Sequence, residues 1–267
     1  MTTNIIVVGA LGKVGREIVA CALDDSSVKL IGCVEYRGHP QMRRDIGECV
    51  GRGNAGIKVT DDVFSLAVEN SVIIDFTSPR ASGDLCDSLA SRKTAIVIGT
   101  TGMAEADIDK IKRISITCPV VFSPNMSLGV NLLFYLTDMV ASRLKDDFDI
   151  EIMEAHHRFK KDAPSGTAKK LGEIVASVLG LPYEKAIRNG RQGNTGERSK
   201  KEIGMHAIRG GDIVGDHTVL FAGIGERIEL RHVAHSRSTF ARGAISAAKW
   251  LSARKPGLYT MREVLGF

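Results

Sequence analysis

What this chain lacks excludes several kinds of protein. Aromatic residues are 5% of its 267 residues, with one tryptophan, so there is little to stack on bases. Its positive charge, net +5, is spread along the chain, and only Arg198-Ser-Lys-Lys201 is a dense run. A nucleic-acid partner is not expected, since attraction of small anionic ligands accounts for the same sign. The five cysteines (Cys21, Cys33, Cys49, Cys86, Cys118) are an odd number without C-x-x-C spacing. They resemble neither a disulfide framework nor a zinc site and suggest a reducing, cytoplasmic home. No apolar run approaches the roughly 18 residues of a membrane span, and Asn4 to Val8 begin an apolar strand without a basic leader. The expectation is a chain neither secreted nor membrane-inserted, without internal repeats or low-complexity segments.

What is present begins as alternating β/α grammar. Ile5 to Val8 form an apolar run that ends at Gly9-Ala-Leu-Gly-Lys-Val-Gly15, after which Val14, Ile18, Val19, Ala22 and Leu23 mark a helix. In such a turn Gly9 permits the tight bend, Gly12 lets backbone approach a pyrophosphate, and Gly15 lets helix and strand pack closely. The spacing is G-x-x-G-x-x-G rather than G-x-G-x-x-G, so a glycine turn that binds nothing stays open. The next strand, Leu30 to Val34, ends in Glu35, an acid about 20 residues on and placed to accept from ribose hydroxyls. Short apolar strands follow at Val72 to Asp75, Ala95 to Ile98 and Val120 to Phe122, separated by helix-length segments such as Ala81 to Ser91 and Ala104 to Ile114. Their ends are small and polar: Asp75-Phe-Thr-Ser78, Gly99-Thr-Thr-Gly102 and Ser123-Pro-Asn125. Open parallel sheets hold ligands at such ends, although purely structural turns use the same residues.

After a helix over Asn131 to Leu144 the grammar changes. Phe148 to Ala155, Ile203 to Arg209, Asp212 to Ala222 and Arg227 to Ala234 read as half-buried strands, the last three joined by turns at Gly210-Gly211 and Gly223-Ile-Gly-Glu226. This predicts a mixed, mostly antiparallel sheet. Arg188 to Lys201 is a polar stretch rich in glycine and arginine, expected to be a mobile loop serving a site or an interface, or else one without a role. From Ser238 a helix with Phe240, Ala244, Ala247, Ala248 and Leu251 on one stripe should return to the first sheet.

Chemistry concentrates in Glu154-Ala-His-His-Arg-Phe-Lys-Lys-Asp-Ala-Pro-Ser-Gly-Thr-Ala168. Two imidazoles and several cations sit where one strand runs out, just before a helix start near Ser165 to Thr167 with a hydroxyl to cap it and Gly180 to stop it. Imidazole titrates near neutral pH, lysine donates protons or holds carboxylates, and helix-start N–H groups attract anions. An anionic substrate fits all three, and a solvated basic loop is the bland alternative. Adjacent histidines do not match common zinc spacings, so no metal is expected. His206, His217, His232 and His235 lie on or near predicted strands and read as structural.

Taken together, the stretch from Glu154 to Thr167, the Gly9 to Gly15 turn, Ile98-Gly-Thr-Thr-Gly102, Asn125 with Gly129-Val-Asn131, and Arg209-x-Gly-Asp-Ile-Val-Gly-x-His-Thr218 resemble the dihydrodipicolinate (4-hydroxy-tetrahydrodipicolinate) reductase family over nearly the whole chain. The resemblance implies an α/β protein, with a Rossmann-like parallel-sheet domain over 1–127 with 237–267 that binds NADH and/or NADPH. It also implies an α+β substrate and oligomerisation domain over 128–236, hinges near Ser127 and Ser236, and a homotetramer. By position, His156 matches the proton donor/acceptor and Lys160 the proton donor, while His157, Gly166 and Thr167 match contacts to the carboxylates of a small dicarboxylate substrate. Nucleotide contacts fall on Gly9, Ala10, Leu11, Gly12, Lys13 and Val14, on Gly99, Thr100 and Thr101, and on Ser123, Pro124, Asn125 and Met126. Glu35 and Tyr36 complete that set, and Tyr36-Arg37 departs from members with arginine directly after the acid, which leaves the NADH/NADPH preference open. Another NAD(P)-dependent amino-acid or hydroxy-acid dehydrogenase of the same plan, or a silent NAD(P)-binding sensor, are the competing readings.

Overall fold

The computed structural model describes residues 2–66 and 71–267. In chain order its elements are β1 (Thr3–Val8), α1 (Lys13–Asp24), β2 (Val28–Val34), α2 (Ile46–Cys49), β3 (Val59–Thr60), β4 (Ser71–Asp75), α3 (Pro79–Leu89), β5 (Ala95–Ile98), α4 (Glu105–Ser115) and β6 (Pro119–Phe122). There follow α5 (Leu128–Leu144), β7 (Asp149–His156), α6 (Gly166–Leu179), α7 (Tyr183–Ala186), β8 (Ile187–Asn189), β9 (Ile203–Arg209), β10 (Gly215–Ala222), β11 (Arg227–Ala234), α8 (Ser238–Leu251), β12 (Gly257–Tyr259) and α9 (Met261–Leu265). They form two compact units, one of Met1–Leu128 with Arg237–Phe267 and one of Gly129–Ser236.

The first unit is a parallel sheet in the order β12-β6-β5-β4-β1-β2-β3. Alternation along each strand feeds two cores. Ile5, Val7, Val72, Ile74 and Val97 pack with residues of α1 and α8 on one face, while Ile6, Ile73, Ile96 and Ile98 pack with Leu85 and Leu89 of α3 and Ile111 and Ile114 of α4 on the other. Burial on both faces is why these strands read as continuous apolar runs rather than alternating ones. Strand order reverses between β1 and β4, so the loops after these two strands diverge and leave a crevice, the position where doubly wound sheets hold ligands. The returning helix α8 comes close because Gly243 has no side chain: a Cβ there would lie 1.7 Å from the Met126 carbonyl oxygen.

The second unit is a five-stranded mixed sheet in the order β11-β10-β7-β9-β8, antiparallel from β11 through β7 and parallel from β7 to β8. Ile150, Ile152, Val219, Phe221 and Met205 on one face pack against α6 through Ala168, Leu171 and Val175, with Leu133 and Ala141 of α5. Here the expected topology needs correction. The Gly210-Gly211 turn closes no hairpin, because β9 and β10 lie on opposite sides of β7, and β10 begins at Gly215 because Asp212 to Val214 turn the chain across that strand. Arg188 to Lys201 is not an unanchored loop. Arg191 grips Glu151 with both terminal nitrogens (2.9 and 2.7 Å) and Glu202 at 2.7 Å, and Arg198 reaches Asp149 at 2.7 Å and the carbonyls of Ile150 and Glu202. The residues that made it look soluble are the ones that pin it. β3, β8 and β12 are too short to show a period and were not legible in the sequence.

Candidate active site

In the first unit the glycine turn is built by exclusion of side chains. Gly9 has φ +76°, and a Cβ on it would meet the Phe76 carbonyl oxygen at 2.8 Å; one on Gly15 would sit 2.0 Å from the Gly9 carbonyl oxygen. Helix α1 therefore starts against the turn with Gly12 as its N-cap, no side-chain cap and no acidic residue in its first turn, which leaves a positive helix end facing outward. A cavity of about 470 Å³ opens there, lined by Gly12, Lys13, Val14, Phe76, Thr77, Gly99, Thr100, Thr101, Pro124, Asn125, Met126 and Phe240. This cradle fits a dinucleotide: backbone N–H groups for phosphate, apolar Phe76 and Phe240 for a ring, and small residues that admit close approach.

Not every residue expected at this site reaches the cavity with its side chain. Ala10 and Leu11 are buried in the core beneath the turn, and Ser123 donates to the Asn125 carbonyl at 2.8 Å. Glu35 holds the turn itself, one oxygen accepting from Leu11 N–H at 3.0 Å and the other from Tyr36 N–H at 3.1 Å; each oxygen keeps a second lone pair for a ribose hydroxyl. Tyr36 is exposed and meets His39 edge-on. Beneath Thr100 lies a network that sequence reading did not anticipate. Thr100 Oγ1 accepts from Thr77 N–H at 3.1 Å and lies 2.8 Å from Ser82 Oγ, whose single proton goes to the buried Asp75 carboxylate, which also takes the Thr77 hydroxyl at 2.7 Å. Burial pushes the Asp75 carboxyl above its ordinary range against these hydrogen bonds.

In the second unit strand register assembles the chemistry. The buried face of β7 runs Ile150, Ile152, Glu154 and on to His156; β10 sets His217 opposite Glu154, and β9 sets Arg209 opposite His156. Glu154 Oε2 lies 2.6 Å from His156 Nδ1, and Arg209 bonds both carboxylate oxygens at 2.8 Å. Ser165, the N-cap of α6, donates its N–H to Glu154 Oε1 at 3.0 Å, lies 3.1 Å from His217 Nε2 through its hydroxyl, and accepts from Ala168 N–H. Burial pushes Glu154 up, yet the bonds from Arg209, His156 and Ser165 outweigh it and hold the carboxyl below its usual range. Burial lowers His156, with Glu154 opposing and Lys160 and Arg209 adding. Burial also takes His217 down to about 3, helped by the neighbouring His156. Lys160 Nζ lies 2.9 Å from Asp162 and is largely covered, whereas Lys161 is exposed. His157 is half-buried with its Nδ1 unpaired in the described structure. Gly166 and Thr167 open α6, and nothing lies within 4 Å of the place where a Gly166 Cβ would be.

Glu154 opens the stretch read as chemical, and Arg209 and His217 stand in a motif that carries the resemblance, but none of the three was given a role in the sequence analysis, where His217 reads as structural. The parity of Phe148, Ile150 and Ile152 carries on to Glu154 and His156 and was available as a signal; Arg209 and His217 depend on strand pairing, which was not.

The buried neutral His217 gives an expected pH dependence. Free histidine takes a proton near about pH 6.5, while folded His217 refuses it until about 3. Below the unfolded value the unfolded chain binds more protons, so stability falls as pH falls through that window. His217→Gln should flatten the loss between about pH 6.5 and pH 5, read from urea midpoints. A slope unchanged from wild type would show that His217 is not a source of it.

A doubly wound sheet with a phosphate-type glycine turn, and a separate unit that buries a histidine–carboxylate–arginine cluster, define a class: the two-domain dinucleotide-dependent oxidoreductases. Two family models, described as dihydrodipicolinate reductase N-terminus and C-terminus, match residues 3–126 and 129–265. A 4-hydroxy-tetrahydrodipicolinate reductase of Syntrophus aciditrophicus (strain SB) is 49% identical over 98% of both chains, and one of Hahella chejuensis (strain KCTC 2396) is 48% identical over 99% of both. The dipicolinate-bound dihydrodipicolinate reductase of Paenisporosarcina sp. TG-14 shares the fold at TM-score 0.77 and 21% identity, covering 97% of this chain and 98% of that one. The chain belongs to the dihydrodipicolinate reductase family. It is an NAD(P)H-dependent oxidoreductase of lysine and diaminopimelate biosynthesis. Among the described residues no helix is long and apolar enough to cross a membrane, and no group of His, Cys, Asp or Glu side chains is arranged to hold a metal.

Proposed function

We propose that this chain reduces 4-hydroxy-tetrahydrodipicolinate to tetrahydrodipicolinate, with His156 and Lys160 handling the proton. The net change replaces a ring hydroxyl by hydrogen: water leaves, one ring carbon gains a hydride and its neighbour a proton. A bound NADH or NADPH supplies the hydride. The first unit is the nucleotide domain, holding the dinucleotide through Gly9 to Val14, Glu35, Tyr36, Gly99 to Thr101 and Ser123 to Met126. In the second unit His157, Gly166 and Thr167 take the substrate carboxylates, an assignment supported by the positive start of α6 beside two imidazoles. The observation that carries the reading is the His156–Glu154–Arg209 cluster next to the anchored Lys160. The discriminating experiment is a substrate panel followed through the absorbance of the reduced dinucleotide. Oxidation is expected with the hydroxylated dicarboxylate, and turnover only of amino or hydroxy acids would overturn the proposal.

Both dinucleotides should serve. Glu35 favours a 2′-hydroxyl and repels a 2′-phosphate, while Lys13 and Arg37 offset that repulsion. The kcat/KM ratio is expected within about 10³, roughly 4 kcal/mol, and a larger preference either way would contradict this balance.

Assembly is as a homotetramer through the second unit, supported by Ile208 and Val233, exposed on the sheet face opposite Glu154. Light scattering that reads a smaller mass would remove this element. The cysteines are all free, which supports a cytoplasmic home.

A further inference from the structure

Glu154 is buried and bonded on both oxygens: Oε2 by His156 Nδ1 and Arg209 Nη1, Oε1 by Arg209 Nη2 and the Ser165 N–H. Arg209 is itself fixed, its Nη2 donating to the Asp162 carbonyl at 2.6 Å. An ionised carboxylate only accepts hydrogen bonds, so the proton between Glu154 and His156 belongs to Nδ1, and in a neutral ring Nε2 then carries the lone pair. The ring has room at that nitrogen because position 215 is glycine: a Cβ there would stand 3.1 Å from His156 Nε2.

Charged and titratable groups face this ring from three strands and a loop. Glu154 comes from its own strand, Arg209 from β9, Lys160 from the following loop, and His217 from β10, edge-on with centroids 5.2 Å apart. Arg209 acts on the ring through the carboxylate it holds. By neutralising Glu154 through two bonds it leaves the carboxylate able to orient the imidazole without serving as a full counter-charge to an imidazolium.

We infer that Glu154 and Arg209 are positioning residues that hold His156 as the neutral Nδ1–H tautomer, so that its Nε2 meets the substrate as a hydrogen-bond acceptor. This deepens, and rests on, the reading of His156 and Lys160 as the proton-handling pair.

The test is imidazole ¹⁵N NMR of the intact protein near neutral pH, with the His156 signals identified by their loss in His156→Asn. The expected spectrum shows a neutral ring protonated at Nδ1 and bare at Nε2. A proton on Nε2 alone, or an imidazolium at neutral pH, would overturn the inference, and this arm needs no change to Glu154 or Arg209. In a second arm the His156 titration midpoint should move down in Glu154→Gln, which removes the carboxylate, and up in Arg209→Gln, which leaves it uncompensated. A purely structural role would not drive the midpoint in opposite directions, so shifts of one sign, or none, would contradict positioning. If the tautomer is as stated but His156→Asn keeps wild-type turnover, the parent reading of His156 fails while the tautomer stands.

Discussion

Lys160→Ala is expected to lower kcat by about 10²-fold or more, the usual scale for losing a positioned proton donor, while its neighbour Lys161→Ala stays within a few fold of wild type. Charge counting cannot separate the two. The structure does: the loop turns on the Lys160 N–H to His157 carbonyl bond at 3.0 Å, and the Lys160 ammonium sits 2.9 Å from Asp162, whose carbonyl is held by Arg209. Lys160 is thus tied to the same cluster as His156, with a fifth of its side chain exposed. Lys161 is exposed, and removing a screened surface charge costs well under about 1 kcal/mol. Because the proposed nucleotide contacts all lie in the first unit, dinucleotide affinity should be unchanged in both variants. Steady-state kinetics with calorimetric titration of the dinucleotide decides the matter. If Lys161→Ala is the more damaged, or Lys160→Ala loses nucleotide rather than turnover, the register assigned to this loop is wrong.

Gly15→Ala should do the reverse, sparing the histidine cluster and damaging the nucleotide cradle. The added Cβ would stand 2.0 Å from the Gly9 carbonyl oxygen and 2.9 Å from the Ala10 Cα. Both are backbone atoms and cannot swing aside as a side-chain tip can. Alanine gains up to about 1 kcal/mol over glycine inside a helix, but overpacking against rigid neighbours costs about 1–3 kcal/mol, and relief requires α1 to move off the turn. Dinucleotide binding should weaken by about 5- to 150-fold, the range an overpacking cost of about 1–3 kcal/mol spans when it falls on the cradle. The ¹⁵N shifts of His156 should stay in place. Wild-type affinity in Gly15→Ala would mean that close packing of α1 on β1 does not shape the binding surface.

These two positions also mark where the sequence was readable. Gly9, Gly12 and Gly15 carry their meaning locally, because a turn that forbids side chains can be seen in the residues themselves. The same holds for Ser165 and Gly180, which cap and stop α6 through local hydrogen bonds and a left-handed φ of 66°. Parallel strands buried on both faces announced themselves as apolar runs. Arg209 and His217 stood in a quoted motif, but their place in the cluster was not legible, since each joins it through register with β7, a relation between segments more than fifty residues apart. The Gly210-Gly211 turn misled for the same reason: a tight glycine pair suggests a hairpin, and nothing local says that β7 lies between the strands it connects. Arg191 and Arg198 looked like solvent-loving loop residues because their partners, Glu151 and Asp149, sit on a strand 40 and 49 positions earlier.

The proposed reaction moves a hydride from a reduced nicotinamide onto the ring carbon that loses its hydroxyl. The most direct measurement uses dinucleotide with both hydrogens of the nicotinamide reactive carbon replaced by deuterium, in ordinary water, with the product examined by NMR and mass spectrometry. One deuterium at the former hydroxyl-bearing carbon, and ordinary hydrogen at its neighbour, is the predicted result. Product without deuterium, or deuterium at the neighbouring carbon, would contradict it.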